Sequence, residues 1–173
     1  GSELWTHMAS NPVTAPDGSY AGALAMVSDI TEQRRTQQEL ERLALHDALT
    51  GLPNRILFTD RLEQAMRSAR RRRKGLSVVV FDLNRFKDVN DTFGHAAGDA
   101  VLAQMGRRIS SQLRDSDTVA RLGGDEFGVL LGECTEDESV ATIHKLFPML
   151  GRPIDLEGAA IDLGVSVGIA RFP

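Results

Sequence analysis

The chain opens with two short strand-like runs. Glu3 to Met8 alternates weakly, Pro16-Asp17-Gly18-Ser19 supplies turn residues, and Tyr20 to Val27 is apolar. Two strands cannot bury a core alone, so this segment either docks on something or belongs to a larger domain. From Thr31 to His46 the pattern becomes polar and helix-favouring, with Asp29 or Thr31 as the cap. Its apolar stripe of Ile30, Leu40, Leu43 and Ala44 is thin. Such a helix reads as a connector that pairs with a partner helix, or as a solvated linker. The stretch from Asp47 to Asn54 breaks it: Gly51 ends one element, Pro53 fixes a turn and Asn54 caps the next helix. That helix runs to about Arg72, with Phe58, Leu62, Ala65, Met66 and Ala69 at helical spacing.

Beyond it, Leu76 to Leu83 is a nearly continuous apolar run and predicts a buried central strand. Asn84 to Asp99 reads as polar and turn-rich. A helix follows with Val101, Leu102, Met105, Ile109 and Leu113 on one face. Val119 to Leu122 and Phe127 to Leu131 flank Gly123-Gly124-Asp125-Glu126 as a β-hairpin whose glycines permit positive φ. A helix from about Glu136 to Leu150 turns Val140, Ile143, Leu146 and Phe147 inward, and one strand alternates Ile161, Leu163, Val165, Val167 and Ile169. The order from Leu76 is βαββαβ. It predicts an α+β fold with a ferredoxin-like core, a central antiparallel sheet flanked by helices. In that arrangement the end of the first strand lies beside the hairpin tip.

Composition narrows the function. The 173 residues suit one domain, or one domain with attachments, and 42% apolar content is enough for a core. A net charge of −4 gives no global basic field for nucleic acid. The cluster Arg70 to Lys74 then reads as a solvated cationic helix C-terminus, favoured by the helix dipole. The single Cys134 excludes a disulfide framework within one chain and fits a reducing, cytoplasmic compartment. No apolar run reaches the roughly 18 residues that span a bilayer, and the first residues lack a signal pattern.

Candidate chemistry lies at the hairpin tip. A structural turn does not favour adjacent acids, because like charges repel, yet Asp125 and Glu126 stand side by side. Asp82 closes an apolar strand, where a carboxylate is expected to be paired or metal-bound. Three carboxylates on adjacent strands suit two divalent ions about 4 Å apart, as in phosphoryl and nucleotidyl transfer. The P-loop pattern is absent, so phosphates would be cradled by backbone N–H groups after Asp82, with Lys87 as a point charge. An ordinary acidic turn, a first-turn helix acid at Asp99 and a turn residue at Asn90 are the plainer alternatives. His95 is expected to be a turn residue packing near the pocket floor, and Cys134 a packing or surface residue.

Three motifs in order resemble the GGDEF family of diguanylate cyclases: Asp47-x-Leu49-Thr50-Gly51-Leu52-Pro53-Asn54-Arg55, the segment Phe81 to Asp99, and Gly123-Gly124-Asp125-Glu126-Phe127. The resemblance covers about residues 45 to 173 and implies a nucleotidyl-cyclase-like palm. It implies condensation of two GTP into cyclic di-GMP and two pyrophosphates, at the interface of a homodimer, with Mg2+ or Mn2+. Asp82, the Leu83 carbonyl and Asp125 would hold the metals. Glu126 would be a further ligand or would help deprotonate the attacking 3′-hydroxyl. Asn90 and Asp99 would read guanine, while Phe86, Lys87, Gly123 and Gly124 would line the GTP site. The alternative is a catalytically weak module that binds GTP or cyclic di-GMP and regulates a neighbouring domain.

Arg114 and Asp117 resemble the family's inhibitory product site; the plainer reading is a helix-ending Arg and a strand-leading Asp. Asp17-Gly18-x-x-x-Gly22 followed by Ser28-Asp29-Ile30-Thr31-Glu32 makes residues 1–30 resemble the C-terminal end of a PAS sensor domain, and 31–46 a signalling helix. The GGDEF domain would be 47–173 without its last helix, which implies weak GTP binding and poor turnover. Asn84 stands where the family often has Asp, with activity expected to survive. The wording from Leu57 to Leu62 resembles members fused to a downstream EAL phosphodiesterase domain.

Overall fold

A computed structural model describes residues 3–156 and 159–173. The chain divides into two compact units, Gly1–Ala44 and Leu45–Pro173.

In the first unit, strands β1 (Thr6–Thr14) and β2 (Tyr20–Asp29) pair antiparallel. Gly18 takes φ +82 at the turn, where Asp17 accepts hydrogen bonds from the Ser19 amide and hydroxyl. Helix α1 (Thr31–Leu45) follows, its first turn capped by Asp29, which accepts from the Thr31 amide at 2.8 Å. Arg34 stacks over the Trp5 ring at 4.1 Å. No residue of α1 is buried, as its thin apolar stripe predicts.

The second unit contains α2 (Arg55–Arg72), β3 (Leu76–Leu83), α3 (Phe86–Phe93), α4 (His95–Ser110), β4 (Thr118–Gly123), β5 (Glu126–Leu131), α5 (Glu136–Leu150), β6 (Ile154–Leu156), β7 (Ala159–Ile161) and β8 (Val165–Phe172). The sheet order is β4-β5-β3-β8 with every neighbour antiparallel, the ferredoxin-like arrangement. Strand alternation divides the core into two layers. Val79, Phe81, Leu83, Phe127, Val129 and Leu131 pack with Val101, Met105 and Ile109 of α4 and Ile143, Leu146 and Leu150 of α5. On the opposite face Leu76, Ala120 and Leu130 pack with Phe58 and Ala69 of α2.

Local signals account for the helix ends. Asn54 Oδ1 accepts from the amides of Ile56 and Leu57, and α2 closes on Arg73 in the left-handed conformation. Thr135 and Glu138 form a reciprocal capping box at the start of α5. The last turn of α5 is tied down by Arg108, whose guanidinium donates to the carbonyls of Met149, Arg152 and Pro153.

Several expectations change. Val140 and Phe147, expected to turn inward, are exposed, and the buried face of α5 is Ser139, Ile143, Leu146 and Leu150. The segment after β3 is helical rather than turn-rich, because Val89 is buried and Phe86 packs against the core. The last predicted strand is two elements, β7 and β8, separated by Asp162-Leu163-Gly164, although Leu163 is itself buried. Asp82 is exposed. Along the α2 face of β3, cover thins from buried Leu76 through Val78 and Val80 to open Asp82, because α2 shields only the start of the strand. The carboxylate therefore needs no partner to satisfy it.

Cys134 is buried, with its thiol 3.0 Å from Ser139 Oγ and that hydroxyl 2.8 Å from Ser77 Oγ. Of the basic cluster, Arg72 and Lys74 pair with Glu133, and Arg70 lies over the Phe172 ring. No helix among the described residues is long and apolar enough to cross a membrane.

Candidate active site at the open end of the sheet

The hairpin tip is held from both sides. Gly123 (φ +144) and Gly124 (φ +52) adopt conformations that side-chain-bearing residues resist, and Asp125 occupies the turn between β4 and β5. Across the sheet Asp82 pairs directly with Glu126. Two candidate carboxylates thus stand on adjacent strands, with the third next in sequence.

Two arginines grip this tip. Arg121 donates through Nε and Nη2 to the Gly124 carbonyl at 3.0 and 2.8 Å, and through Nη1 to both carboxylate oxygens of Asp47 at 3.2 and 3.1 Å. Asp47 also accepts from the Thr50 amide and hydroxyl at 2.9 and 2.7 Å. Arg55, first residue of α2, donates to the Leu122 carbonyl at 2.8 Å and to the Glu126 carboxylate at 3.0 Å. Asp47, Thr50 and Arg55 lie in the first of the three motifs and Arg121 in the strand entering the hairpin, but their sequence context assigns them no role. The available signal was an arginine just ahead of the glycine pair and an unpaired acid at a helix break.

Burial pushes the Asp47 carboxyl up, but the Thr50 hydrogen bonds and the Arg121 guanidinium outweigh it and hold the group below the ordinary carboxylate range. A carboxyl depressed in the folded state contributes stability that is complete above its unfolded value and is lost as pH falls through its folded value. Asp47→Asn is therefore expected to be less stable than wild type at pH 7, and the difference should shrink on acidification below about pH 4. Urea unfolding at several pH values measures this. A stability gap independent of pH from 7 to 3 would remove the charged carboxylate from the account.

The Glu126 carboxylate, drawn onto Arg55, is not gathered with the other acids. Among the described residues no group of three or more His, Cys, Asp or Glu side chains is arranged to hold a metal. The expected three-carboxylate cluster is therefore present as neighbouring backbone positions rather than as an assembled cage. The donor set is all oxygen, at the open end of one sheet, with Arg55 the cation that competes for Glu126. That chemistry fits a hard divalent ion.

The remaining candidates frame the same end. Leu83 is buried and pairs with Val165 of β8. Phe86 and Lys87 open the first turn of α3, entered through Arg85 at φ 60 with no side-chain cap; the same turn carries Asp88, whose carboxylate pairs with Arg85 at 2.7 Å. Lys87 is exposed. Asn90 faces α4, its Oδ1 against Gly98, and Asp99 is exposed on the next residue. Asn84 is engaged elsewhere, accepting from Ser166 Oγ at 2.6 Å. His95 opens α4 as an exposed residue and is no pocket floor.

Arg114 and Asp117 close a turn on each other: the Arg114 amide donates to Asp117 Oδ2 at 3.1 Å and the Asp117 amide to the Arg114 carbonyl at 2.9 Å. A cavity of about 680 Å3 beside α2 reaches Asp115 and Ser116 of this turn and carries Arg61, Arg67 and Arg71.

The sequence matches the family model described as diguanylate cyclase, GGDEF domain, over residues 44–173. It is 45% identical over 144 residues to the bifunctional diguanylate cyclase/cyclic di-GMP phosphodiesterase MucR of Pseudomonas aeruginosa, covering 83% of this chain and 21% of that protein. It is 44% identical over 146 residues to the diguanylate cyclase TpbB of the same species, covering 82% and 34%. The chain thus spans about a fifth to a third of the length of these relatives. Its fold resembles the solved GGDEF domain of TpbB, with TM-score 0.71, 45% identity and coverage of 74% and 76%. It also resembles the coiled coil and GGDEF domain of DgcB from Caulobacter crescentus in complex with cyclic di-GMP, with TM-score 0.76, 26% identity and coverage of 83% and 78%.

Proposed function

The chain belongs to the GGDEF family of diguanylate cyclases, and we propose that its protein condenses two GTP molecules into cyclic di-GMP, releasing two pyrophosphates. The observation that carries this reading is the direct pairing of Asp82 with Glu126 across β3 and β5, with Asp125 beside them on the turn. Asp82, Asp125, Glu126 and the Leu83 carbonyl are the groups that would hold Mg2+ or Mn2+. Such ions, when bound, neutralise triphosphate charge and acidify the attacking hydroxyl. The uncapped first turn of α3, with Phe86 and Lys87, receives phosphate oxygens through backbone N–H groups and an ammonium charge. Gly123 and Gly124 leave room beside the acids for the nucleotide. Asn90 can donate and accept, and Asp99 accepts from guanine N1–H and N2–H.

Each chain offers one such half-site, so joining two GTP molecules into a ring requires two copies face to face around a two-fold axis. Residues 1–30 are the end of a PAS-like sensor domain and 31–46 a signalling helix to the catalytic domain from 47 onward. The unit boundary after Ala44 is compatible with that division. Arg114 and Asp117 belong to an inhibitory site for the product, a downstream EAL domain is a feature of the longer protein, and the domain works in the cytoplasm.

The test incubates the purified protein with GTP and MgCl2 or MnCl2 and resolves products by mass spectrometry. Cyclic di-GMP and pyrophosphate in a 1:2 ratio are expected. GTP binding without product would overturn the cyclase reading in favour of a regulatory module.

A further inference from the structure

Gly98 is the fourth residue of α4, buried, and immediately before Asp99. A Cβ built on it would stand 2.0 Å from Asn90 Oδ1, 3.0 Å from Asn90 Cγ and 3.1 Å from Phe86 Cζ. The first separation is far inside the contact limit of any real side chain. Neither backbone nor helix propensity explains a glycine here. Its φ is not among the positive ones, and alanine is the better helix former by about 1 kcal/mol. What explains it is the neighbour: the Asn90 amide occupies the space a side chain would fill.

Phe86 and Asn90 are four residues apart on α3 and so share the face turned to α4. The Asn90 side chain makes no hydrogen bond to any other described residue, so its amide is seated by packing alone. It rests on bare helix backbone, one residue from the exposed Asp99 carboxylate. The edge of the Phe86 ring lies against the same glycine, and Phe86 begins the helix turn assigned to phosphate.

We propose that Gly98 is a positioning residue for base selection: its missing side chain seats Asn90 beside Asp99, so that the two address one purine edge together. This rests on the reading of Asn90 and Asp99 as the guanine-recognising pair. Any substituent at 98 displaces the amide from Asp99 and pushes on Phe86, coupling the base contact to the phosphate contact.

The test compares wild type, Gly98→Ala, Asn90→Ala and the double variant, with a non-hydrolysable GTP analogue and the matching inosine and adenosine analogues, by calorimetry, alongside thermal unfolding. Gly98→Ala is expected to weaken GTP-analogue binding roughly tenfold, the worth of about one hydrogen bond, and to flatten the preference over inosine and adenosine. In the Asn90→Ala background the same substitution should cost far less in binding, because the 2.0 Å clash with the amide is gone and only the 3.1 Å approach to the Phe86 ring remains. A single variant that fails to fold while the double variant folds also supports the clash. Gly98→Ala binding within twofold of wild type, where Asn90→Ala is impaired, overturns the inference and leaves the guanine reading intact. Wild-type selectivity in Asn90→Ala overturns both. An equal loss from Gly98→Ala in both backgrounds, or failure of both Gly98 variants to fold, makes the residue structural and overturns the positioning role.

Discussion

Asp82→Asn is expected to lower cyclic di-GMP formation by about a thousandfold while leaving the fold intact. The two halves of that result have separate causes. Asp82 is exposed and its carboxylate makes no hydrogen bond or ion pair with another described residue, its backbone alone being held in the sheet, so a near-isosteric amide removes no folded-state contact. Stability should stay within about 0.5 kcal/mol. The loss of activity follows from the register that sets Asp82 opposite Glu126, with Asp125 beside them. An amide oxygen is a poorer ligand for a hard cation than a carboxylate. A metal's contribution to the transition state is several kcal/mol, and each 1.36 kcal/mol is tenfold in rate, which gives the thousandfold figure. Thermal unfolding with added MnCl2 checks the assignment without turnover. Wild type should gain about 2.7 kcal/mol at a metal concentration a hundred times the dissociation constant, and Asp82→Asn little at the same concentration. Product formation within tenfold of wild type would remove Asp82 from the metal site.

The helices α2, α4 and α5, the central strand β3 and the hairpin tip were legible because each is written locally, and the ferredoxin-like sheet order follows from their sequence. Asn54 caps α2 with its own side chain, Thr135 and Glu138 cap α5 reciprocally, and Gly123 and Gly124 take the positive φ values their identity permits. What was not legible is decided by packing between distant residues. The stretch from Phe86 to Phe93 has the Asn and Asp content of a turn, yet it is a helix because Val89 is buried against the core and Asn90 finds a glycine to rest on. Asp82 ends an apolar run that reads as buried on both faces. Its exposure depends on where α2 stops covering β3, which no local pattern records. The two arginine grips follow the same rule: Arg121 reaches back 74 residues to Asp47, and Arg55 forward 71 to Glu126. The candidate acids could be picked out in the sequence, but the partners that Arg121 and Arg55 reach across the fold could not.

Arg121→Met should destabilise the domain by about 2–3 kcal/mol and impair the site as well. Both members of the Arg121–Asp47 pair are largely shielded, with side-chain exposures of 14% and 22%. Removing one partner of a fully buried pair costs about 3–5 kcal/mol, chiefly because the other charge is left unmatched. Residual solvent access here lowers that figure, since exposed pairs contribute under about 1 kcal/mol. Asp47 keeps its Thr50 bonds in the variant, which lowers it further. The Gly124 carbonyl, however, loses both of its guanidinium donors, so the turn that carries Asp125 loses its anchor. Arg121→Lys retains the charge but cannot serve two acceptors with a planar fork, and is expected to recover less than half of the loss. The double variant Arg121→Met/Asp47→Asn separates the two roles. Stability should partly return because no unmatched carboxylate remains, giving a coupling energy of about 1–2 kcal/mol. Cyclic di-GMP formation should not return, because Gly124 is still unheld. Recovery of stability and activity together would reduce Arg121 to a charge partner of Asp47 and deny it any part in holding the hairpin tip.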